Sequence, residues 1–166
     1  VLNSQQVVLP KRDGRRVRSR LESGAVQRLM DQTDIRKAWG LRDRAIIAVA
    51  LSTGLKVSQL CALDRRDVRE ELLGLVPRLP LRVGGRQRED IALDERAQLC
   101  LKDYLAARQD DYRPLFIRHK PGKSLARDDP EHRLTRQMVN RMLEKYSRKA
   151  QIPQFVSPSM LGRTAS

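Results

Sequence analysis

The chain has 166 residues, a length that provides one domain with a genuine core and is too short for two full ones. Charged residues make up 33% and aromatic residues only 4%, which is typical of a helical domain with a well-solvated surface. The formal net charge of +14 favours a polyanionic partner, of which nucleic acid is the commonest. No segment approaches the ~20 apolar residues of a membrane-spanning helix, so we expect no membrane partner.

The first twenty residues are basic and carry little hydrophobic pattern. Within them, six basic side chains stand against one aspartate: Lys11, Arg12, Arg15, Arg16, Arg18 and Arg20. Such a density of charge cannot pack into a core. We predict that residues 1–20 form a lead-in arm or interdomain linker that contacts phosphates, with a solvated tail as the alternative. A single domain follows over residues 21–166.

Residues 42–68 predict two helices separated by a sharp break. The run AIIAVAL at residues 45–51 is apolar on every side, so its helix should be buried rather than amphipathic. Gly54 stands where the chain must reverse. A second helix then begins with a basic side chain at Lys56, and apolar residues recur at helical spacing from Val57 onward.

Short apolar runs predict a small three-stranded antiparallel sheet after this helix pair. The three strands are expected at residues 72–76, 79–83 and 91–93, and Pro77, Pro80 and Gly84-Gly85 punctuate these runs. Gly84-Gly85 is a hairpin signal between the second and third runs.

The rest of the chain predicts further helices, so the fold class is mainly α with that small sheet. A short helix is expected over residues 21–30. Asp94 is a plausible N-cap for a strongly amphipathic helix. Another helix is expected over residues 135–149, and Ser157-Pro158 is a helix-start signal.

This succession of elements resembles the catalytic core of the tyrosine recombinases, the phage integrase family of DNA-breaking and rejoining enzymes. The resemblance covers about residues 21–164. Four motifs carry it in the family's order: TGLK at 53–56, the glycine hairpin, LTRQMVNRMLEKYSRKAQI at 134–152 and SPSML at 157–161. The resemblance implies double-stranded DNA as partner and strand cleavage through a phosphotyrosyl intermediate.

The family's chemistry requires cations around the scissile phosphate, because negative charge builds on its non-bridging oxygens. Two arginines clamp these oxygens, a hairpin lysine protonates the leaving oxygen, and a histidine assists proton transfer. At the matching positions Lys56 replaces the first arginine and Gln59 replaces the glutamate of the first box. The hairpin lysine is replaced by Arg86 or by Gln87, depending on the length assigned to the turn.

The family's second box, H-x-L-R-H, aligns on Leu161. Ser159 then replaces the histidine, Gly162 replaces the arginine, and Arg163 replaces the residue after it. Arg163 carries a suitable charge, but a shift of one residue on a helix turns the side chain by ~100°. The resemblance therefore predicts degenerate catalytic positions on an intact scaffold.

Further DNA contacts are predicted from Arg86 and Arg88 on the hairpin and from Arg136. A solvated turn is the alternative for the hairpin pair. No nucleophile is identifiable among the tyrosines, since Tyr104 and Tyr146 lie on apolar helix faces and Tyr112 precedes the family's interbox loop.

The remaining ionisable residues predict no cofactor or metal. Cys61 and Cys100 lack metal-ligand spacing and are expected to be reduced core residues of a cytoplasmic, prokaryotic nucleoid-associated protein. His119 and His132 lie in loop sequence, and we expect both at the surface.

Three functional hypotheses follow. In the first, the chain is a truncated, catalytically inactive recombinase core that still binds duplex DNA. In the second, it is a fragment of an active site-specific recombinase whose tyrosine lies downstream. In the third, it is a protein-interaction module that self-associates or binds a complete recombinase protomer as a decoy.

Overall fold

Six α-helices and one β-hairpin make up the part of the protein that its structure, a computed structural model, describes. This part comprises residues 21–22, 24–84, 88–119, 132–153 and 156–165, with the backbone alone for residues 159 and 163–165. In chain order the elements are α1 (Ala25–Asp31), α2 (Ala38–Thr53), α3 (Val57–Ala62), β1 (Leu79–Val83), β2 (Glu89–Leu93), α4 (Glu95–Ala107), α5 (Arg136–Lys149) and α6 (Pro158–Ala165). The predicted arm over residues 1–20 lies outside the described residues.

Helix α2 is the centre of the core, as its uniformly apolar sequence predicts. Each residue from 45 to 50 is at most 1% exposed, and helices α4 and α6 pack against it. The helix ends at Gly54, which has a φ of 70° and donates its N–H to the Ala50 carbonyl oxygen at 2.9 Å. Glycine adopts this left-handed conformation without steric cost, so the chain can turn there into α3.

The sheet contains two strands, β1 and β2, paired antiparallel along their full length. The predicted hairpin is therefore confirmed, whereas the predicted third strand is not. Residues 72–76 instead form the end of a 3-10 turn (Glu70–Leu72) and the irregular turn after it. Their apolar character reflects the burial of Leu73, which is 3% exposed, and a short apolar run does not distinguish a strand from a buried turn.

The predicted helix starts are confirmed at three helices. The Asp94 carboxylate accepts the Ala97 N–H at 2.9 Å at the start of α4. Thr135 caps α5 in the same way, because its hydroxyl oxygen accepts the Met138 N–H at 3.3 Å. Helix α6 begins at Pro158, whereas the first helix is shorter than the predicted span of residues 21–30.

The expectation of surface histidines was wrong for His132 and holds only in part for His119. His119 is half-buried, and its Nε2 lies 2.8 Å from the Tyr104 hydroxyl oxygen. His132 is 1% exposed, and its ring centroid lies 3.9 Å from that of Tyr112. Each ring packs against a tyrosine that is distant in sequence. The polar sequence of the surrounding loops gives no indication of these contacts.

The cysteines agree with their prediction. Cys61 and Cys100 are both buried and free, and burial raises the pKa of each thiol. None of the helices in the described ranges is long and apolar enough to cross a membrane.

Candidate nucleic-acid interface

A cleft lies between helix α3 and the β-hairpin, and we call it the α3–hairpin cleft. Its cavity volume is about 360 Å³. Helix α3, the 3-10 turn that follows it and the two arms of the hairpin supply polar and charged lining residues: Ser58, Gln59, Arg66, Asp67, Arg82 and Arg88. The elements flanking the hairpin turn and the first family-like box therefore meet at one surface.

The α3–hairpin cleft carries surplus positive charge. The side chains of Arg66 and Arg82 are 73% and 52% exposed, and Arg88 is also exposed. Asp64 also lines the cleft, but its carboxylate lies 2.6 Å from the Arg133 guanidinium and 3.7 Å from that of Arg66. Asp67, the second lining carboxylate, accepts the Asp64 N–H at 2.8 Å, and Asp90 lies 3.9 Å from Arg82. The three lining arginines exceed the two lining aspartates by one charge, so the cleft favours an anion.

Lys56 stands at the start of α3, with its side chain exposed. Its backbone N–H donates to the Oε1 of Gln59 at 2.9 Å, a contact that caps the helix. Gln59 therefore supplies the same backbone contact that a glutamate would supply at this position. Lys56 itself offers a compact point charge, which cannot grip two phosphate oxygens as a planar guanidinium does.

Helix α6 meets the same end of α2, where the backbones of Gly162 and Gly54 are in contact. A Cβ placed at Gly162 would lie 2.2 Å from the Gly54 Cα and 3.2 Å from the Ala50 carbonyl oxygen. Leu161, which is 0% exposed, anchors α6 in the core beside this contact. The structure thus places Gly162 against Gly54, which precedes Lys56 by two residues in the sequence.

The predicted DNA-contacting residues are only partly described. Arg136 is the first residue of α5, is exposed, and lies close enough to the end of α3 for its charge to act on Cys61. Several predicted site residues lie outside the described residues, or have side chains that do: Lys11, Arg12, Arg15, Arg16, Arg18, Arg20, Arg86, Gln87, Ser159 and Arg163. The roles assigned to these residues from the sequence remain predictions.

Sequence reasoning missed Arg66 and Arg82 as lining residues of the cleft. Strand β1 alternates between buried and exposed positions, and Arg82 occupies one of the exposed ones. This alternation was visible in the sequence. Successive side chains of a strand point to opposite faces, so a charged residue between the buried Leu81 and Val83 lies on the outer face. Arg66 belongs to a 3-10 turn (Arg65–Asp67) and had no such signal.

The fold and the cleft define a mainly helical domain with a basic groove suited to a polyanion. The chain belongs to the phage integrase family, whose sequence model matches residues 19–166. It is thus a tyrosine recombinase or integrase-like domain of the site-specific recombination family.

Curated relatives are tyrosine recombinases of the Xer group. The chain is 31% identical over 143 residues to XerD of Lacticaseibacillus casei, covering 85% of this chain and 45% of that protein. It is 29% identical over 163 residues to XerC of Pelobacter propionicus, covering 97% and 49%. The chain thus spans less than half the length of these relatives.

Solved recombinase structures share the fold. The structure of XerH bound to a palindromic difH substrate after cleavage superposes with a TM-score of 0.69 at 16% identity, covering 92% of this chain and 42% of that one. The structure of XerA recombinase gives a TM-score of 0.65 at 22% identity, covering 88% and 48%. At such identities the likeness concerns the fold alone.

Proposed function

We propose that this domain binds double-stranded DNA along the α3–hairpin cleft and, as the chain stands, does not cleave it. The observation that carries the binding is the convergence of three exposed arginines, Arg66, Arg82 and Arg88, on one cleft, with Lys56 exposed at the start of the helix that forms one wall. Cations arranged in this way bind a phosphate backbone by releasing its counterions. The XerH structures with the same fold contain a DNA substrate, which supports the proposal.

The absence of cleavage is supported by two positions around the expected phosphate. Lys56 provides charge without a bidentate fork. Gly162 provides no side chain, and the adjoining Gly54 backbone leaves no room for one. By analogy with single oxyanion-hole donors, each missing clamp costs on the order of 10²–10³ in rate. Two such losses would remove useful activity.

The binding proposal is tested by fluorescence anisotropy with a labelled DNA duplex across a salt series. We expect the affinity to fall steeply between about 50 and 200 mM salt, because each neutralised phosphate releases counterions. An affinity that stays constant across the series would contradict the proposal.

The cleavage proposal is tested separately with a nicked suicide substrate that traps a phosphotyrosyl adduct. We expect no covalent adduct with this chain. An adduct formed by this chain would overturn the proposed inactivity. An adduct formed only by a longer protein that contains the chain would favour the alternative, a fragment of an active recombinase.

Self-association, and pairing with a complete recombinase protomer, remain predictions. Light scattering of the chain alone and mixed with a complete Xer recombinase tests both. A strict monomer that also ignores the complete protein would contradict them. Association with the prokaryotic nucleoid would follow from DNA binding, and fluorescence microscopy of a tagged protein in bacterial cells would reveal it.

A further inference from the structure

A second cleft lies between helices α2 and α4, and its floor is apolar. We call it the α2–α4 cleft; its cavity volume is about 640 Å³. Ile35 and Leu99 line it and are 55% and 45% exposed, respectively. Together with Leu75, they are the large apolar side chains that the described residues leave exposed. Leu41 and Ala106 extend the apolar lining. Exposed apolar groups gathered in one concave place are typical of an interaction surface.

The edge of the α2–α4 cleft is basic. Arg44 and Arg96 line it from the two helices, against the one carboxylate of Asp103. Within the described residues, Arg96 donates one hydrogen bond, to the Gln27 side chain at 2.8 Å, and its side chain is exposed, so its other donors can meet a ligand. Lys37 and Arg36 are exposed near Ile35, against the one carboxylate of Asp34, which lies 3.0 Å from Arg36, so this side of the cleft is also basic.

This combination of an apolar floor and a basic edge identifies the chemistry of the occupant. Duplex DNA would leave Ile35 and Leu99 against a polar backbone and gain nothing from their burial. A second copy placed face to face would bring the two basic edges, each with Arg44 and Arg96, together, and their like charges would repel. A helix with apolar side chains on one face and carboxylates beside them would satisfy both features.

The α2–α4 cleft is separate from the proposed DNA interface. Arg44 lies in the first half of α2, whereas Gly54 and Lys56 follow its opposite end. Nine residues of helix separate Arg44 from Thr53, which corresponds to about 14 Å along the axis. The two clefts share no lining residue, so a partner seated here leaves the lining of the α3–hairpin cleft free for DNA.

We propose that the α2–α4 cleft binds an acidic amphipathic helical segment of another protein. The probe is a fluorescein-labelled synthetic peptide of about 15 residues, or four helical turns, with leucines at helical spacing and glutamates elsewhere. Its control carries lysine in place of every glutamate. Anisotropy is measured with the full chain, with and without unlabelled duplex DNA, so that attraction to the DNA interface is separated from binding to this cleft.

Point variants decide whether the peptide occupies this cleft. We expect Leu99→Ser to weaken peptide binding about tenfold, because an exposed leucine that would be buried by the ligand is lost. Arg44→Gln should weaken it about threefold and reduce its salt dependence. Leu75→Ser is the matched control, an exposed leucine that does not line the cleft, and should leave the affinity unchanged.

Four results would overturn the proposal. They are no saturable binding by the wild-type chain, equal binding of the lysine peptide, equal binding by Leu99→Ser, or a wild-type dimer that Leu99→Ser dissociates in sedimentation velocity. The last result would make a second copy the occupant. Leu99 is 45% exposed, so its replacement should leave the fold intact, and circular dichroism verifies this. None of these outcomes depends on whether the chain binds DNA.

Discussion

Gly54 and Gly162 are in backbone contact, so that a Cβ placed at Gly162 would lie 2.2 Å from the Gly54 Cα. Gly54 ends α2 in a left-handed conformation, and Gly162 lies inside α6. The contact holds α6 against the turn that leads to Lys56. The resemblance assigns an arginine to the position of Gly162. In this protein the glycine instead allows the backbone of α6 to contact the backbone at the end of α2.

Replacing Gly162 should destabilise the protein, against the usual preference of helices. In a helix interior, alanine normally stabilises relative to glycine by ~1 kcal/mol. At Gly162 we expect Gly162→Ala to lower the free energy of unfolding by about 1–3 kcal/mol, because the added methyl group overpacks the contact. Urea denaturation measures the change. Gly24→Ala is the control, since among the described residues a Cβ there would meet the end of the long Arg28 side chain, at 3.2 Å, and no backbone.

The same geometry predicts that restoring the family's arginines will not restore cleavage. In the double variant Lys56→Arg with Gly162→Arg, the second guanidinium has no space beside Gly54 unless α6 moves. We expect lower stability than Gly162→Ala and no covalent adduct on a nicked suicide substrate. Adduct formation by this variant at wild-type stability would show that α6 can shift to accept the side chain.

The hairpin arginines should determine DNA affinity. In the double variant Arg82→Gln with Arg88→Gln, two exposed cations leave the α3–hairpin cleft. We expect weaker duplex binding and a slope of log affinity against log salt that is smaller by about 2, one unit for each lost phosphate contact. Anisotropy across a salt series measures both quantities.

Arg36→Gln provides the matched control for the hairpin variant. The side chain of Arg36 is 85% exposed. Arg36 precedes the start of α2, whereas the α3–hairpin cleft lies beyond the end of α2. We expect its salt slope to match that of the wild type. Equal slopes for the control and the hairpin variant would mean that DNA binds elsewhere on the basic surface.

Sequence patterns identified the scaffold well because its signals are local. The unbroken apolar run of α2, the Asp94 cap and the glycine break at Gly54 each act within a few residues, and each is found where it was predicted. The environment of His132 could not be predicted in this way, because Tyr112, whose ring covers it, is twenty residues away. Prediction failed where burial depends on contacts between distant segments.

A buried polar cluster joins α2 to α5 and should contribute strongly to stability. The Tyr146 hydroxyl donates to the Asp43 carboxylate at 2.6 Å, and the Arg42 guanidinium lies 2.8 Å from the same carboxylate. Burial, followed by the neighbouring charge of Asp43, raises the pKa of Tyr146, so its hydroxyl stays protonated and remains a donor.

Removing the carboxylate should therefore cost more than removing the hydroxyl. We expect Asp43→Ala to lower the free energy of unfolding by about 3–5 kcal/mol, because it leaves Arg42 buried without its partner. Tyr146→Phe should cost about 1–2 kcal/mol. Urea denaturation of both variants tests the order. Equal losses would mean that Arg42 is stabilised by the Ile117 carbonyl oxygen, which it also contacts at 3.0 Å.

The half-buried His119 should make stability depend on pH. Burial, together with the charges of Arg42 and Arg108, lowers the pKa of His119 from 6.5 to about 4. The unfolded chain therefore binds more protons than the folded chain between these two values, so stability is fully present above about pH 6.5 and falls as the pH drops toward 4. Because the ring is partly exposed, we expect a loss of about 1–2 kcal/mol rather than the full equivalent of the pKa difference.

His119→Gln isolates this contribution from the carboxylates that titrate in the same range. The Tyr104 hydroxyl lies 2.8 Å from the His119 Nε2. A glutamine side chain can accept a hydrogen bond from this hydroxyl but does not titrate. Urea denaturation at about pH 7 and about pH 4.5 should show a smaller stability loss for the variant than for the wild type. If both proteins lose the same stability on acidification, His119 titrates near its ordinary pKa, and burial with the Arg42 and Arg108 charges does not keep it neutral.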